Sequence, residues 1–391
     1  MVDYESKLSN SIRRVKPSGI RKFFDISAEM DDVVSLSIGE PDFMTPEHIR
    51  RVGIESLEQG QTKYTANKGI TELRSCIGEY YSSHYGVPVS GIEEALVTVG
   101  GSEALDLALR VLVTPGDEVL IPEPCFVCYS PLTIMRGGVA VPLQTRVEDE
   151  FKLTPELLKS KITPKSKLLI LAYPSNPTGG IMEKEDYEKL ADIIIENDLI
   201  VISDEIYATL TYGGKRHFSI AALPGMKERT IIVNGFSKAY AMTGWRLGYA
   251  IAPVPIIKEM TKLHQYGIMS APTTAQYAAI EALRNGDPDI ESMREEYDRR
   301  RRYIVDAFNS LGMTCFEPRG AFYCFPSIQK SGLTSDEFCE QLIQRKHVAI
   351  IPGTAFGSCG EGYARVSYCS SMENLEHGVE RIAEFLKEIN G

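Results

Sequence analysis

The chain has no long hydrophobic run, and that removes a first class of function. Nowhere in its 391 residues does apolar sequence reach the length that crosses a bilayer. Positive charge is also in short supply: 42 basic residues face 53 acidic ones, a net charge of −11. A surface that acidic repels nucleic acid and anionic membrane, so neither is an expected partner. Cysteine is sparse, with eight residues scattered without the spacing of a secreted disulfide framework. Cys125 and Cys128 form one C-x-x-C, weak support for a redox pair. No second pair or ligand-spaced histidines accompany it, and the six histidines include no H-E-x-x-H, so no metal site is expected. Asn176-Pro177-Thr178 is barred from glycosylation by its own proline. The stretch "MVDYESKLSNSIRRVKPSG" holds no apolar signal core, which makes a cytoplasmic protein with free thiols the expectation.

What is present is an alternation. "EALVTV" (Glu94 to Val99), "EVLIP" (Glu118 to Pro122), "KLLILAYP" (Lys167 to Pro174), "LIVISD" (Leu199 to Asp204), "TIIVN" (Thr230 to Asn234) and "RLGYAIA" (Arg246 to Ala252) read as strands. "SEALDLALRVL" (Ser102 to Leu112) and "EKEDYEKLADIIIEN" (Glu183 to Asn197) carry helical spacing between them. Continuous apolar strands alternating with helices predict an α/β fold with a mainly parallel sheet covered on both faces. Ligands in such sheets sit beyond the carboxyl ends of the strands.

After Gly286-Asp287-Pro288 the character changes to a long charged helix pattern, "DIESMREEYDRRRRYIVDAFNSLG". Its arginine run suggests a nucleic-acid patch, but Glu295, Glu296 and Asp298 precede Arg299, Arg300 and Arg302 by four residues. That spacing predicts intrahelical ion pairs on a solvated face. The expected organisation is an N-terminal arm or lid with part of a small domain over 1–45, a large domain over 46–286, and a small α+β domain over 287–391.

Four features bear on chemistry. Gly100 and Gly101 fall between a strand and a helix start, with Ser102 placed to cap the helix, either as an anion cradle or as a tight turn. Asp204 ends an apolar strand, as a helix cap or as the partner of a buried cationic ring nitrogen. In "YPSNPTGG" (Tyr173 to Gly180), Asn176 is held by Pro177, in a plain loop or presenting its amide to a ligand, and the Asn–Pro bond is a candidate for the cis form. Lys238, in "NGFSKAYAMTGWRLGYA", stands among small and aromatic residues. A lone lysine is ordinarily an exposed one; a partly desolvated lysine has a lowered pKa and becomes nucleophilic. Taken together, with Arg246 eight residues beyond Lys238, these make a phosphate cradle, an amide, a carboxylate and an amine. That set is what pyridoxal 5′-phosphate needs.

The segment from Gly235-Phe236-Ser237-Lys238 through Arg246-Leu247-Gly248 resembles the lysine signature of the class I/II, fold type I aminotransferases. "LSIGEPDFMTP", "KYTANKGITELR", "YPSNPTGG", "SDEIY", "GAFY", "IPGTAFG" and "ARVSY" resemble family blocks in family order, from Leu36 to Tyr368, with microbial aspartate and aromatic aminotransferases the nearest in look. The resemblance implies a fold type I PLP-transferase: a mainly parallel seven-stranded sheet sandwiched by helices, plus a smaller α+β domain. It implies that Lys238 is the Schiff-base lysine and proton shuttle, and that Asp204 keeps the ring nitrogen protonated. Asn176 and Tyr207 would bond the phenolic oxygen. Gly100, Gly101, Ser102, Ser237 and Arg246 would hold the phosphate, and Phe126 would stack on the ring. Arg365 would clamp the substrate α-carboxylate, helped by Asn176 and the backbone of Gly39. Tyr64 would reach the phosphate of a neighbouring subunit in a homodimer with shared sites.

One position departs from the pattern. Many relatives carry serine three residues before the lysine, where this chain has Gly235, so one phosphate contact is lost. The implied activity is ping-pong transfer of an amino group from an L-amino acid, aromatic or of broad aspartate type, to a 2-oxo acid, expected to be 2-oxoglutarate. "PSGIRKFFDIS" (Pro17 to Ser27) is the expected lid, with Ile20, Phe23 and Phe24 lining an apolar pocket or packing in the core. The alternatives are an aspartate-specific, alanine or diaminopimelate aminotransferase, or a C–S/β-lyase of the same fold. A nicotinamide dehydrogenase is disfavoured by the missing G-x-G-x-x-G.

Overall fold

The apolar runs become strands because nothing else could bury them on both sides. A computed structural model describes residues 2–390 except 18, 21, 22, 24, 25, 27–29 and 31. Phe24, placed in the expected lid, lies outside the described residues. The strands begin with β1 (Val34–Ser35), followed by β2 (Ala95–Thr98), β3 (Glu118–Glu123) and β4 (Val139–Gln144). Next come β5 (Ser166–Ala172), β6 (Ile200–Asp204), β7 (Thr230–Gly235) and β8 (Gly248–Ile251). Among the described residues, seven of these form one sheet in the order β2-β8-β7-β6-β5-β3-β4. All neighbours in it are parallel except the pairs made by β8, which runs antiparallel to both β2 and β7.

Alternation along each strand sends side chains to opposite faces. Val119, Ile121, Leu168, Ile170, Ile202, Ile231 and Val233 pack in one cluster, while Leu120, Leu169, Leu171 and Val201 pack in another. Helices cover both: α1 (Thr71–Tyr85), α2 (Gly100–Leu112), α3 (Tyr129–Met135), α4 (Lys184–Glu196), α5 (Val254–Gly267) and α6 (Thr273–Asn285). On the first face lie Ala104, Leu105 and Ala108 of α2 with Ile257 and Met260 of α5. On the second lie Leu190, Ile193 and Ile194 of α4. Each fully buried aliphatic side chain contributes about 1.5–3 kcal/mol. Helix α4 starts where its sequence says it should, with Glu183 and Asp186 forming a reciprocal capping box.

The remainder of the chain builds a second cluster. Helices α7 (Asp287–Ser310), α8 (Ser335–Lys346) and α9 (Met372–Asn390) pack around short strands β9 (Tyr323–Cys324), β10 (Val348–Ala349), β11 (Ile351–Pro352) and β12 (Ala364–Ser367). β1 pairs with β10, while β12 lies between β9 and β11. Phe23 is buried in this cluster, and so is Ile20.

Helix α7 corrects the solvated-face expectation. Glu296–Arg300 and Asp298–Arg302 do pair at the expected spacing, at 2.8 and 3.4 Å. Arg299, however, bonds Glu296 rather than Glu295. Arg300 and Arg301 are each only 5% exposed. Arg300 reaches Asp42 at 2.8 Å, and Arg301 reaches Glu317 at 2.9 Å. Four consecutive residues span more than a full helical turn, so the run necessarily puts part of its charge on the packed side. There it is matched by carboxylates from other segments.

Candidate active site

The carboxyl ends of β5, β6 and β7 open on one cavity of about 510 Å³. Gly39, Gly100, Gly101, Ser102, Phe126, Asn176, Asp204, Tyr207, Ser237, Lys238, Arg246 and Arg365 all line it. Residues from seven separated stretches of sequence therefore meet where a doubly wound sheet binds its ligands. Tyr64 does not line this cavity; it is 80% exposed beside a second, open pocket formed with Lys63 and Pro272.

Lys238 follows β7 on a turn and is half-buried. Its Nζ donates to the Gly39 carbonyl at 2.6 Å and stands 5.7 Å from the centroid of the Phe322 ring. Burial, with the Arg365 and Arg246 charges, lowers its pKa to about 8 against opposition from Cys369 and Glu40. An amine so placed is available as a nucleophile near neutrality.

Asp204, the last residue of β6, is buried. Its Oδ1 accepts the Ile206 N–H at 3.2 Å, and its Oδ2 accepts the Tyr129 hydroxyl at 2.8 Å. Burial raises its pKa to about 6. The residues beyond it form a turn rather than a helix, so Tyr207 comes round on a turn and not one helical turn on. Behind Asp204, the fully buried Glu205 accepts hydroxyls from Ser203 at 2.9 Å, Ser219 at 2.6 Å and Tyr81 at 3.2 Å, and lies 3.1 Å from His217. Burial alone would raise this carboxyl, but His217 and the hydroxyls hold it below its ordinary value. Asn234 then donates to the Tyr81 hydroxyl at 2.7 Å and accepts the Gly235 N–H at 2.7 Å, which ties the ends of β6 and β7 together beneath the cavity.

Arg365 sits on β12, buried, with Nη1 donating to Asn176 Oδ1 at 3.0 Å and Nη2 donating to the Ser37 carbonyl. Its Nε is buried without a hydrogen-bond partner. Asn176 is joined to Pro177 by a cis peptide bond. Arg246 closes the opposite side, with Nη1 donating to the Thr243 carbonyl at 3.0 Å. Gly100 has φ +72°, so the backbone favours glycine, and a Cβ there would stand 2.8 Å from Arg246 Nη2.

Ser102 is not the helix cap expected of it. Helix α2 starts two residues earlier, at Gly100, with Val99 at the cap position. Glu103 accepts the Val99 N–H at 2.5 Å, in effect doing the capping. Ser102 is thereby left exposed on the cavity wall. Gly235 also has a packing reason: a Cβ there would lie 3.0 Å from both Gly248 Cα and the Leu247 carbonyl. At Gly39 an added Cβ would stand 1.9 Å from the Tyr323 hydroxyl oxygen. Gly39→Ala is therefore expected to push that segment off the cavity and raise KM at least about tenfold, since ångström-scale misplacement costs up to about 100-fold. Steady-state kinetics with a circular-dichroism check of folding measure it, and an unchanged KM refutes the close fit.

Among the cavity residues not singled out from the sequence, Tyr323 and Glu40 lay inside quoted blocks and Tyr129 did not. Both tyrosines look like core aromatics, and Glu40, which accepts the Thr243 hydroxyl, looks like a surface acid.

A family model described as aminotransferase class I and II matches residues 31–382. The chain belongs to the class I and II aminotransferases. An aspartate aminotransferase of Pyrococcus abyssi is 46% identical over 97% of this chain and 98% of its own. An aromatic-amino-acid aminotransferase of Thermococcus litoralis is 43% identical over 97% and 98%. The solved structure of an aromatic aminotransferase from Pyrococcus horikoshii superposes with a TM-score of 0.90 at 46% identity, covering 94% of this chain and 99% of that one. The chain is an enzyme that transfers amino groups between amino acids and oxo acids. The expected seven-stranded fold type I architecture is the one observed. Among the described residues, no helix is long and apolar enough to cross a membrane.

Proposed function

We propose that this aminotransferase works with pyridoxal 5′-phosphate held in the 510 Å³ cavity. The carrying observation is one cavity that joins a half-buried amine, Lys238, to a buried carboxylate, Asp204, with no cation against it among the described residues. These residues fit the group. A protonated ring nitrogen supplies the charge that Asp204 lacks. The glycine pair at the start of α2, with Ser102, Ser237 and Arg246, offers backbone N–H groups, hydroxyls and a guanidinium to a phosphate. When bound, the cofactor supplies an aldehyde that exchanges amines and a cationic ring that takes up the electron pair left by the departing α-proton.

The chain supplies the rest. Lys238 would hold the aldehyde end and would carry a proton on its Nζ. Asp204 would keep the ring nitrogen protonated, with Tyr129 orienting the carboxylate. Asn176 and Tyr207 would donate to the phenolic oxygen, and Phe126 would cover the ring. Arg365 binds the α-carboxylate, helped by Asn176 and the Gly39 backbone, and its unpartnered Nε gives it a spare donor. Tyr64, exposed here, serves the site of a second copy in a homodimer. The segments 1–45, 46–286 and 287–391 act as arm, large domain and small domain, in a cytoplasmic enzyme.

The donor follows from charge. Among the described residues, the basic groups lining the cavity are Lys238, Arg246 and Arg365, and each already has a role. Among the described residues none is left for a second carboxylate, while Ile20 and Ile38 offer apolar wall. Aromatic donors are therefore favoured over aspartate, with 2-oxoglutarate as acceptor. A donor panel tests this: kcat/KM for phenylalanine or tyrosine is expected to exceed that for aspartate at least about tenfold, one charge interaction's worth. Aspartate in first place overturns the specificity. Ammonia release without an oxo acid overturns transfer in favour of elimination.

A further inference from the structure

Tyr323 lines the same cavity, and none of the roles above uses it. Strand register puts it there. Tyr323 of β9 pairs with Ser367 of β12, so the period of two sets it on the same sheet face as Arg365. The guanidinium stands over its ring at 4.6 Å from centroid to central carbon, and over the Phe356 ring at 4.9 Å. Its hydroxyl is 2.9 Å from the Tyr207 hydroxyl, with the two rings nearly perpendicular at 83°. Both rings are buried. One side chain thus touches the groups assigned to opposite ends of the bound pair, the α-carboxylate clamp and the phenolic-oxygen donor.

We propose that Tyr323 is a positioning residue with two separable duties: its hydroxyl directs the Tyr207 proton into the cavity, and its ring, with that of Phe356, is a shelf that holds Arg365 for the substrate carboxylate. This rests on the function proposed above. The direction follows from the donor inventory. Arg365 offers donors and no acceptor, so the Tyr323 proton goes to Tyr207. Tyr207, with its acceptor side satisfied, keeps its own proton for a ligand, and donation along such a chain strengthens each bond. The titratable groups facing the pair are Arg365 on β12 and Cys369 beyond it, with Lys238 across the adjoining Phe322 ring. Burial pushes Tyr323 up to about 12 despite Arg365, and Tyr207 well above the usual phenol range. Both phenols stay protonated in any practical buffer.

The test compares wild type, Y323F, Y207F, Y207F/Y323F and Y323M, each loaded with pyridoxal 5′-phosphate. The readouts are the pH midpoint of the visible absorbance, KM for phenylalanine and 2-oxoglutarate, and a thermal melt. Y323F keeps the shelf and loses the hydroxyl. Its midpoint is expected to rise by up to about one pH unit, one hydrogen bond's worth, with KM within about twofold. The double variant should shift no further than Y207F alone, because the effect passes through Tyr207. Y323M fills the volume without a π face and should raise both KM values about tenfold. An unmoved midpoint in Y323F, or additive shifts in the double variant, overturns the first duty. Unchanged KM in Y323M overturns the second. Should Y323M not fold, Y323L is read in its place, and failure of both to fold assigns the ring to the core and overturns the shelf. A wild type that takes up no visible absorbance with pyridoxal 5′-phosphate sinks the proposed function instead.

Discussion

Lys238→Ala is expected to lose at least about 10⁴-fold in kcat. A positioned general base contributes about 10²–10⁴-fold, and the same amine also serves as the covalent anchor. Among the described residues, the other basic groups on the cavity wall, Arg246 and Arg365, are guanidiniums and not amines, so neither replaces it. The loss should fall on kcat rather than on KM, because Arg365 and Asn176, which are proposed to hold the substrate, remain. Single-turnover kinetics separate the two. Borohydride reduction of the loaded wild type should fix label on Lys238 alone, found by peptide mapping, and the variant should take none. Activity above about 1% of wild type, or label on another lysine, refutes the assignment.

Parts of this architecture were legible because one physical demand dominated locally. Strands β3, β5, β6 and β7 must be buried on both faces, and continuous apolar runs bounded by turns say so. β4 was missed for the converse reason. It is an edge strand with Pro142 in it and exposed Val139, Pro142 and Gln144, so it lacks the burial that makes a strand visible. The antiparallel direction of β8 was equally hidden, since direction depends on a connection and not on composition. The site was legible through its separate residues but not through their couplings. An arginine run reads as solvated until Asp42 and Glu317 arrive from other segments to match it. A tyrosine in an apolar block reads as core until β12 brings Arg365 over its ring. Ser102 reads as a cap until Glu103 takes the work. In each case the partner lies elsewhere in the chain, or the competition is between adjacent residues that both suit one job.

Asp204→Asn is expected to lower kcat by about 10³-fold while making the cofactor-free protein more stable at neutral pH. The activity loss follows from the ring nitrogen: without a carboxylate beside it, the cation that accepts the electron pair is no longer favoured, and a preorganised charge of this kind is worth about 10²–10³. The stability gain follows from linkage. Burial raises the folded carboxyl from 3.8 to about 6. The folded state therefore holds its proton where the unfolded state has lost it, and stability falls as pH rises from about 4 to about 6. Above that window the cost is complete, at about 3 kcal/mol for a shift of this size. Asparagine carries no charge, so the variant escapes the cost, and its amide can still meet the Tyr129 hydroxyl and the Ile206 N–H. Thermal melts of the cofactor-free proteins should show the variant several degrees higher at pH 7, with the gap closing towards pH 4.5. Loading with pyridoxal 5′-phosphate should reverse the order at pH 7, because the wild-type carboxylate then has its cation. A variant no more stable than wild type without cofactor would mean that Asp204 is already paired within the chain, and its role as the ring partner would fall with that result.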